Sequence, residues 1–414
     1  MSSHHLTSDT QAILLLCGSF GNSRDTYPQP LNLREYHSLA KWLVAHKLRP
    51  ADLLESNGQN LLQTCDLFTI DRLESLLARG MMLALAVEKW TSKGLWIVGR
   101  GDSHYPDRLR QQLGSHAPAF LYGVGDIKLL SQGGLAIVGS RNIDEEGLEY
   151  TSRVADNCAR QGIQIVSGGA RGVDTAAMLA AISAGGSTVG ILADSLAKAA
   201  VSSKYRSAIQ DQRLTLISAV DPQTGFNVGN AMGRNKYIYA LADYGLVVSS
   251  DYNKGGTWAG AVEALKLKKT VHVFVKIEGN ISQGNRQLLK LGAKEFPPGP
   301  WLHNLEQRLQ EIIDTRVRIE AVQCSLSLDS IEPPINSIDI DTINSEIEQI
   351  KLPTNVYEAV LPFILSYLQQ PEDVKSLAEK LNVTYSQLQN WLKKAVDDGR
   401  ITKTSKPVKY VLKI

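Results

Sequence analysis

Short apolar runs alternate with helical patterns through the middle of the chain. Three such runs begin at Leu135, Ile165 and Tyr244, and each ends in a turn of small residues before a helical pattern begins. Further apolar runs of strand length cover residues 188–193, 214–218 and 270–276. Repeated strand–loop–helix units indicate a parallel sheet of the doubly wound kind. We therefore predict an α/β fold with a Rossmann-like domain over residues 95–322, and expect this domain to retain the binding function on its own.

The segments on either side of this domain have different patterns. Residues 1–94 carry apolar side chains at three- and four-residue spacings, which predicts a small helical domain. Residues 323–352 are rich in serine, proline and carboxylates, which is typical of an extended acidic linker. Residues 353–414 have the pattern of helices followed by two short strands, which predicts a winged helix. Such a domain binds either DNA or a protein partner.

Composition excludes several classes of protein. The 414 residues carry a formal net charge of +2, so any nucleic-acid binding must come from local clusters of basic residues. The four cysteines are scattered without a C-x-x-C pair, which predicts no zinc site, no disulfide framework and a location in the reducing cytoplasm. No apolar run has the roughly 20 residues that a membrane-spanning helix needs. We expect no bound cofactor, no metal and no membrane partner.

The loops that follow the predicted strands contain the residue types that bind anions. Glycines let backbone N–H groups approach a ligand, and the helix after each loop directs its partial positive end to the same place. Arginine and lysine side chains favour phosphate among anions. The residues expected to bind phosphate are Gly139, Ser140, Arg141, Ser167, Gly168, Gly169, Arg171, Gly172, Asp174, Arg234, Asn235, Lys236, Lys254, Gly255, Gly256 and Thr257. No catalytic residue is predicted.

Several motifs occur in a fixed order along the chain. They are Gly101–Pro106, Pro118–Tyr122, Ile137–Arg141, Val166–Asp174, Gly233–Lys236 and Gly255–Thr257. In this order they resemble the bacterial DNA-processing protein A (DprA/Smf) family over roughly residues 30–295.

The resemblance implies a function and partners. Proteins of this family bind and protect single-stranded DNA and load the recombinase RecA onto it during natural transformation, the competence-linked uptake and recombination of DNA, without acting as enzymes. The resemblance also implies a homodimer and a SAM-like domain in residues 1–94. We interpret that domain as a packing or dimerisation module, because no glycine-bearing hairpin stands out in it. The alternative is a DNA contact of the helix-hairpin-helix type, which the family's N-terminal region resembles.

The chain departs from the family pattern at several positions. Met178 replaces a histidine that usually follows the Asp174 motif, and Lys236 replaces the last arginine of the basic motif. Ser249 stands where an acidic residue is expected. These changes predict a divergent member of the family. Its biological setting stays open between transformation, genome maintenance and defence.

Two alternative functions use the same fold. Gly255–Thr257 with Glu263 loosely resembles the signature of lysine-decarboxylase-like phosphoribohydrolases, in which Asp174 and Glu263 would be the acid and base. Asp174 is equally explained as a helix cap. The other alternative is a sensor that binds a free nucleotide. Aromatic residues that could stack on a base or belong to the core are Tyr237, Tyr252 and Trp258, with the core favoured for Trp258.

Overall fold

The structure is a computed structural model that describes residues 6–20, 28–55, 60, 62, 64–266, 271–315, 356–368, 370–381, 383, 385–404 and 408–412. The predicted linker, residues 323–352, lies outside the described residues. The chain divides into two compact units, Met1–Leu326 and Ser327–Ile414. None of the described helices is long and apolar enough to cross a membrane.

A nine-stranded sheet forms the centre of the first unit. Its strands are β1 (Trp96–Gly99), β2 (Phe120–Val124), β3 (Leu135–Val138), β4 (Ile165–Ser167), β5 (Thr188–Ile191), β6 (Leu214–Ser218), β7 (Tyr244–Val247), β8 (His272–Val275) and β9 (Lys294–Glu295). Their order is β1-β2-β6-β5-β4-β3-β7-β8-β9, and neighbours from β6 to β9 are parallel. The predicted doubly wound sheet is confirmed. It is mixed rather than purely parallel, because β2 pairs antiparallel with both β1 and β6.

Helices cover both faces of this sheet. Along β3, Leu135 and Ile137 belong to one apolar cluster, whereas Ala136 and Val138 belong to another. Successive side chains of a strand point to opposite faces, so both faces are buried and the strands are continuous apolar runs. The helices in and after the sheet are Asp107–Leu113, Glu145–Arg160, Val173–Ser183, Leu196–Ala199, Ser203–Gln210, Val228–Leu241, Gly255–Lys266 and Gln283–Lys290, and residues 305–315 are helical as well.

The helices that precede β1 share their core with the sheet. They are Ser8–Cys17, Leu33–Ala45, Ile70–Leu77 and Gly80–Thr91. The second of them begins with a capping box, in which Asn32 and Glu35 satisfy each other's backbone N–H groups. Ile13 and Leu76 lie in the same apolar cluster as Tyr122 and Leu216 of the sheet. The predicted boundary at residue 95 therefore does not separate two cores.

The order of the strands reverses at β3. The chain passes from β3 to β4, β5 and β6 on one side, and then crosses to β7, β8 and β9 on the other. Ligands of doubly wound sheets bind at such a switch point, outside the carboxyl ends of the strands. Because β3 and β7 are paired neighbours, the loops that follow them meet at this point. Gly172, with a φ of +87°, turns the chain into the nearby helix Val173–Ser183.

The second unit consists of three described helices and a strand pair. The helices are Val356–Tyr367, Val374–Leu381 and Tyr385–Asp397, and β10 (Ile401–Lys403) pairs antiparallel with β11 (Tyr410–Leu412). Ile364, Leu377 and Leu392 are fully buried in a core of their own. The winged-helix assignment of this unit stays a prediction.

Candidate functional site

A cavity of about 370 Å³ lies at the switch point of the sheet. The loop after β3, the loop after β7 and the helix Val228–Leu241 line it, together with Ala170 and Asp174 from the segment after β4. The loops that were singled out by their glycines and basic residues therefore converge on one cavity.

The predicted phosphate-binding residues divide into two groups. Those that line the cavity are Gly139, Ser140, Arg141, Asp174, Arg234, Asn235, Lys254, Gly255, Gly256 and Thr257. Those that are not among its lining residues are Ser167, Gly168, Gly169, Arg171, Gly172 and Lys236.

Members of the second group make contacts that a sequence does not reveal. The hydroxyl of buried Ser167 donates to the carbonyl of Ile137 at 2.6 Å and so ties β4 to β3. Arg171 is exposed and donates to the side chain of Asn142 at 3.2 Å. Gly168 lies against Arg234, since a Cβ at position 168 would overlap the guanidinium. None of these three residues lines the cavity.

Arg234 is the buried cation of the cavity. It lies on the helix Val228–Leu241, and only 7% of it is exposed. Its Nη1 atom is 3.7 Å from Oδ2 of Asp174, which is an ion pair but too long for a hydrogen bond. Nη1 and Nε have no hydrogen-bond partner among the described residues. Burial lowers the pKa of Arg234, and Asp174 opposes that shift. Buried donors without a hydrogen bond are costly even beside an opposite charge, so this geometry favours an incoming anion.

Asp174 is the buried carboxylate beside Arg234. It lies in the first turn of the helix Val173–Ser183 and is 6% exposed. Burial raises its pKa, while Arg234 and backbone hydrogen bonds from Ala170 and Gly139 act in the opposite direction. The carboxylate therefore lies close to backbone groups of the loops after β3 and β4.

Two side chains fasten the loop after β7 in place. The Thr257 hydroxyl donates to the carbonyl of Gly139 at 3.0 Å and joins this loop to the loop after β3. The amide of Asn235 donates to the carbonyl of Gly256 at 2.8 Å. The start of the helix Gly255–Lys266 is thereby held at the wall of the cavity, and the N-terminus of a helix favours the binding of an anion. Thr257 and Asn235 position the loop.

The rim of the cavity is apolar and cationic. Phe226, Val228 and Met232 line it, and each is about half exposed or more, at 55%, 63% and 46%. The guanidinium of Arg141 lies over the Phe226 ring, with Cζ 4.6 Å from its centroid. We call these three apolar residues the ledge. An exposed aromatic face next to a phosphate-seeking cavity is the usual arrangement for stacking an unpaired base.

The family model for DNA recombination-mediator protein A matches residues 96–300, which contain the sheet and the whole cavity. The chain belongs to this family. Curated relatives are the DNA processing protein DprA of Bacillus subtilis, 30% identical over 185 residues, and that of Streptococcus pneumoniae, 28% identical over 188 residues. These matches cover 43% and 44% of the chain, but 60% and 65% of the relatives, which is less than two thirds of their length.

The fold also matches a solved structure of the family. The X-ray structure of DprA from Streptococcus pneumoniae aligns with a TM-score of 0.54 at 20% sequence identity. The alignment covers 70% of this chain and 94% of that one. At this identity the likeness concerns the fold, and it agrees with the sheet described above.

The family member is divergent in ways that the structure explains. Met178 is fully buried in the apolar core, so no polar group from this position reaches the cavity. Lys236 points to a second and much smaller cavity that it lines with Glu263, and burial lowers its pKa. Glu263 does not line the main cavity, whereas Asp174 does. The two residues that would be the acid and base of a phosphoribohydrolase are therefore not brought together in one cavity. Among the described residues, no group of His, Cys, Asp or Glu is arranged to hold a metal ion.

Phe226 and Tyr239 are among the cavity residues that were not predicted from the sequence. Phe226 lies in a loop between predicted elements, where an aromatic residue among polar ones was the available signal. Tyr239 lines the cavity and is 4% exposed, and its buried hydroxyl has no hydrogen-bond partner among the described residues. Of the aromatic candidates, Trp258 is buried, as was favoured, and Tyr237 is buried too. Tyr252 is 49% exposed and packs edge-on against Trp258 outside the lining of the cavity.

Proposed function

We propose that the protein is a DNA-processing protein that binds single-stranded DNA at the switch-point cavity, without catalysing a reaction. The observation that carries this proposal is Arg234: a buried guanidinium at the base of a cavity where two helices begin, ion-paired with Asp174 but with Nε and Nη1 lacking a hydrogen-bond partner among the described residues. A phosphate group that binds here supplies the hydrogen bonds that these buried donors lack, so its binding is favourable.

The charges of the lining residues fit a strand of phosphates. Arg234, Arg141 and Lys254 contribute positive charge, while Asp174 and Asp251 are the carboxylates among the lining residues. Because the formal net charge of the whole chain is only +2, attraction of DNA depends on this local excess. Phosphate contacts of this kind hold the strand without reading its sequence.

Selectivity for single strands follows from the shape of the site. A phosphate must enter the cavity to reach Arg234, which is 7% exposed. A flexible single strand can bend a phosphate into the cavity, whereas the stiff double helix holds its phosphates on its outer surface. The ledge beside the cavity is reached by a base only when that base has left its stack. Stacking on an aromatic side chain contributes about 1–3 kcal/mol per base and does not depend on which base it is. We infer binding without sequence preference.

The family resemblance supports the finer parts of the proposal. In these terms the protein protects single-stranded DNA in the cytoplasm and loads RecA onto it for recombination, with natural transformation as the setting. It acts as a homodimer, which places two cavities on one strand and raises avidity without new contacts.

The experiment that tests the proposal compares a single-stranded and a double-stranded oligonucleotide of equal length over a salt series, with the full chain. We expect the single strand to bind more tightly, and its affinity to fall with salt because counterions are released from the phosphates. Equal affinity for the duplex, or no binding of any single strand, would remove the proposed function. Release of a free base from nucleoside monophosphates would instead support the alternative function, that of a phosphoribohydrolase.

A further inference from the structure

We propose that the cavity selects a terminal phosphomonoester, such as the phosphorylated end of a DNA strand, over the phosphodiesters within a strand. This inference rests on the proposed function and adds the chemical class of the group that enters the cavity. Its basis is the match between the unpaired buried donors of the cavity and the oxygen atoms of a phosphomonoester.

Three donor atoms at the cavity are buried and have no hydrogen-bond partner among the described residues. They are Nε and Nη1 of Arg234 and the hydroxyl of Tyr239. Both side chains line the same cavity, and the carboxylate of Asp174 acts electrostatically on both of them. A phosphomonoester presents three terminal oxygen atoms as acceptors, whereas a phosphodiester presents two and uses the others for its esters. The set of donors therefore fits the monoester better.

The depth of the cavity points the same way. Arg234 and Tyr239 are 7% and 4% exposed, so a phosphate must enter fully to reach them. A phosphodiester within a strand carries a nucleotide on each side, so it reaches these donors less fully than a terminal phosphate does. The volume of about 370 Å³ is near the lower end of the range for small-ligand pockets and suits one nucleotide. A terminal phosphate has one substituent, which leaves the cavity along the ledge.

Charge adds a third argument. A phosphomonoester carries about −1.5 to −2 charges at neutral pH, against −1 for a phosphodiester. The lining residues offer Arg141, Arg234 and Lys254, and the helices that begin at Val173 and Gly255 add their partial positive charge. The carboxylates of Asp174 and Asp251 also line the cavity and oppose this effect. The second negative charge of the monoester is therefore favoured only by the excess that the three basic side chains and the two helix ends retain over these two carboxylates.

The test uses thymidine oligonucleotides of one length and the full chain. The probes carry a 5′-phosphate, a 3′-phosphate or hydroxyl groups at both ends, and a fourth probe is a closed circle without ends. We expect at least one phosphorylated probe to bind about tenfold more tightly than the hydroxyl-ended and circular probes, the effect of one further hydrogen bond to a charged group. Equal binding of all four probes would overturn the inference while the single-strand function stands. Binding of none would overturn both.

Variants show whether the preference arises in the cavity. Tyr239→Phe keeps the buried ring and removes one donor, so it should reduce the end preference severalfold, measured as the ratio of the affinities for the phosphorylated and the circular probe. Gly168→Ala displaces Arg234 and should abolish the preference, whereas Gly233→Ala, where a Cβ meets nothing within 4 Å, is the matched control. A preference that survives both Tyr239→Phe and Gly168→Ala comes from elsewhere, and the inference is then wrong.

Free thymidine monophosphate distinguishes the two possible sources of the phosphomonoester, which are the end of a DNA strand and a free nucleotide. It should compete with the phosphorylated oligonucleotide only weakly, because it lacks the neighbouring nucleotides that lie along the ledge. Competition by the mononucleotide as strong as by the oligonucleotide would assign the cavity to free nucleotides, which keeps the phosphomonoester and removes the single-strand function.

Discussion

The guanidinium of Arg234 rests on the backbone of Gly168, in the space that any side chain at position 168 would occupy. Gly168 directly follows β4, whereas Arg234 lies on the helix Val228–Leu241, which comes after β5 and β6 in the sequence. The glycine is needed for space, and its φ is not in the left-handed region. Gly168 therefore leaves room for the Arg234 guanidinium, whereas its position in the sequence suggested a contact with phosphate.

Replacing Gly168 with alanine should displace Arg234 without changing the charge of the protein. We expect affinity for single-stranded DNA to fall by about tenfold or more, since a charge-assisted contact is lost. Gly233→Ala on the same helix as Arg234 is the control, because an added Cβ there meets no atom within 4 Å. Unchanged affinity in folded Gly168→Ala, judged by circular dichroism, would contradict the role given to Arg234.

Arginine substitutions should separate the cavity from its surroundings. Arg234→Gln and Arg141→Gln are each expected to flatten the slope of log affinity against log salt by about 0.7, the value for one phosphate contact on a single strand. Arg171→Gln should change the slope less, because Arg171 does not line the cavity and is bonded to Asn142. Exposed Arg206 on another helix is a control for loss of charge. A slope that depends equally on all four arginines would mean that the cavity is not the DNA path.

Phe226 should contribute to binding through its ring. Phe226→Ala is expected to weaken binding of thymidine oligonucleotides by an amount equivalent to about 1–3 kcal/mol, the usual contribution of one stacked base. Phe226→Leu keeps an apolar side chain without a flat face and should fail to restore the affinity, whereas Phe226→Trp should restore it. An unchanged affinity of the leucine variant would show that Phe226 contributes only apolar surface and does not stack on a base.

The affinity for single-stranded DNA should rise as the pH falls toward the raised pKa of Asp174. Burial raises the pKa of Asp174 above its ordinary value of 3.8, so its carboxyl takes up a proton in a range where exposed carboxylates do not. A bound phosphate raises that pKa further, so binding is linked to proton uptake and strengthens toward lower pH. Asp174→Asn should flatten this dependence. Thymidine oligonucleotides with hydroxyl ends are the suitable probe, because neither the bases nor the phosphodiesters titrate there. An unchanged pH profile in the variant would refute this account.

A fragment of residues 1–326 should fold and keep the DNA-binding function, whereas a fragment that starts at residue 95 should not fold cooperatively. Removing the first helices exposes Phe120, Tyr122, Leu214 and Leu216, which share a cluster with them. Each large apolar side chain contributes about 1.5–3 kcal/mol when buried, and a typical domain is stable by only about 5–15 kcal/mol. Thermal melting followed by circular dichroism measures the difference. A cooperative transition in the shorter fragment would restore the boundary that the sequence pattern suggested.

The sequence by itself determined the central architecture and the type of chemistry. Apolar runs that start at Leu135, Ile165 and Tyr244 are strands because a parallel strand buried on both faces must be apolar throughout. Their glycine-bearing ends predicted a site at the carboxyl edge of the sheet, and the ordered motifs identified the family. These features are local, since each is written in fewer than about ten consecutive residues.

The tertiary structure alone decided which of the predicted residues reach the cavity. Ser167 and Arg234 have equally suggestive positions in the sequence, yet Ser167 bonds to a neighbouring strand and Arg234 enters the cavity. Phe226 and Tyr239 join the site, and the antiparallel strands and N-terminal helices join the core, through contacts between residues far apart in the chain. Periodicity and motif spacing report on near neighbours along the backbone. Burial, unpaired donors and shared cores depend on which distant segments pack together.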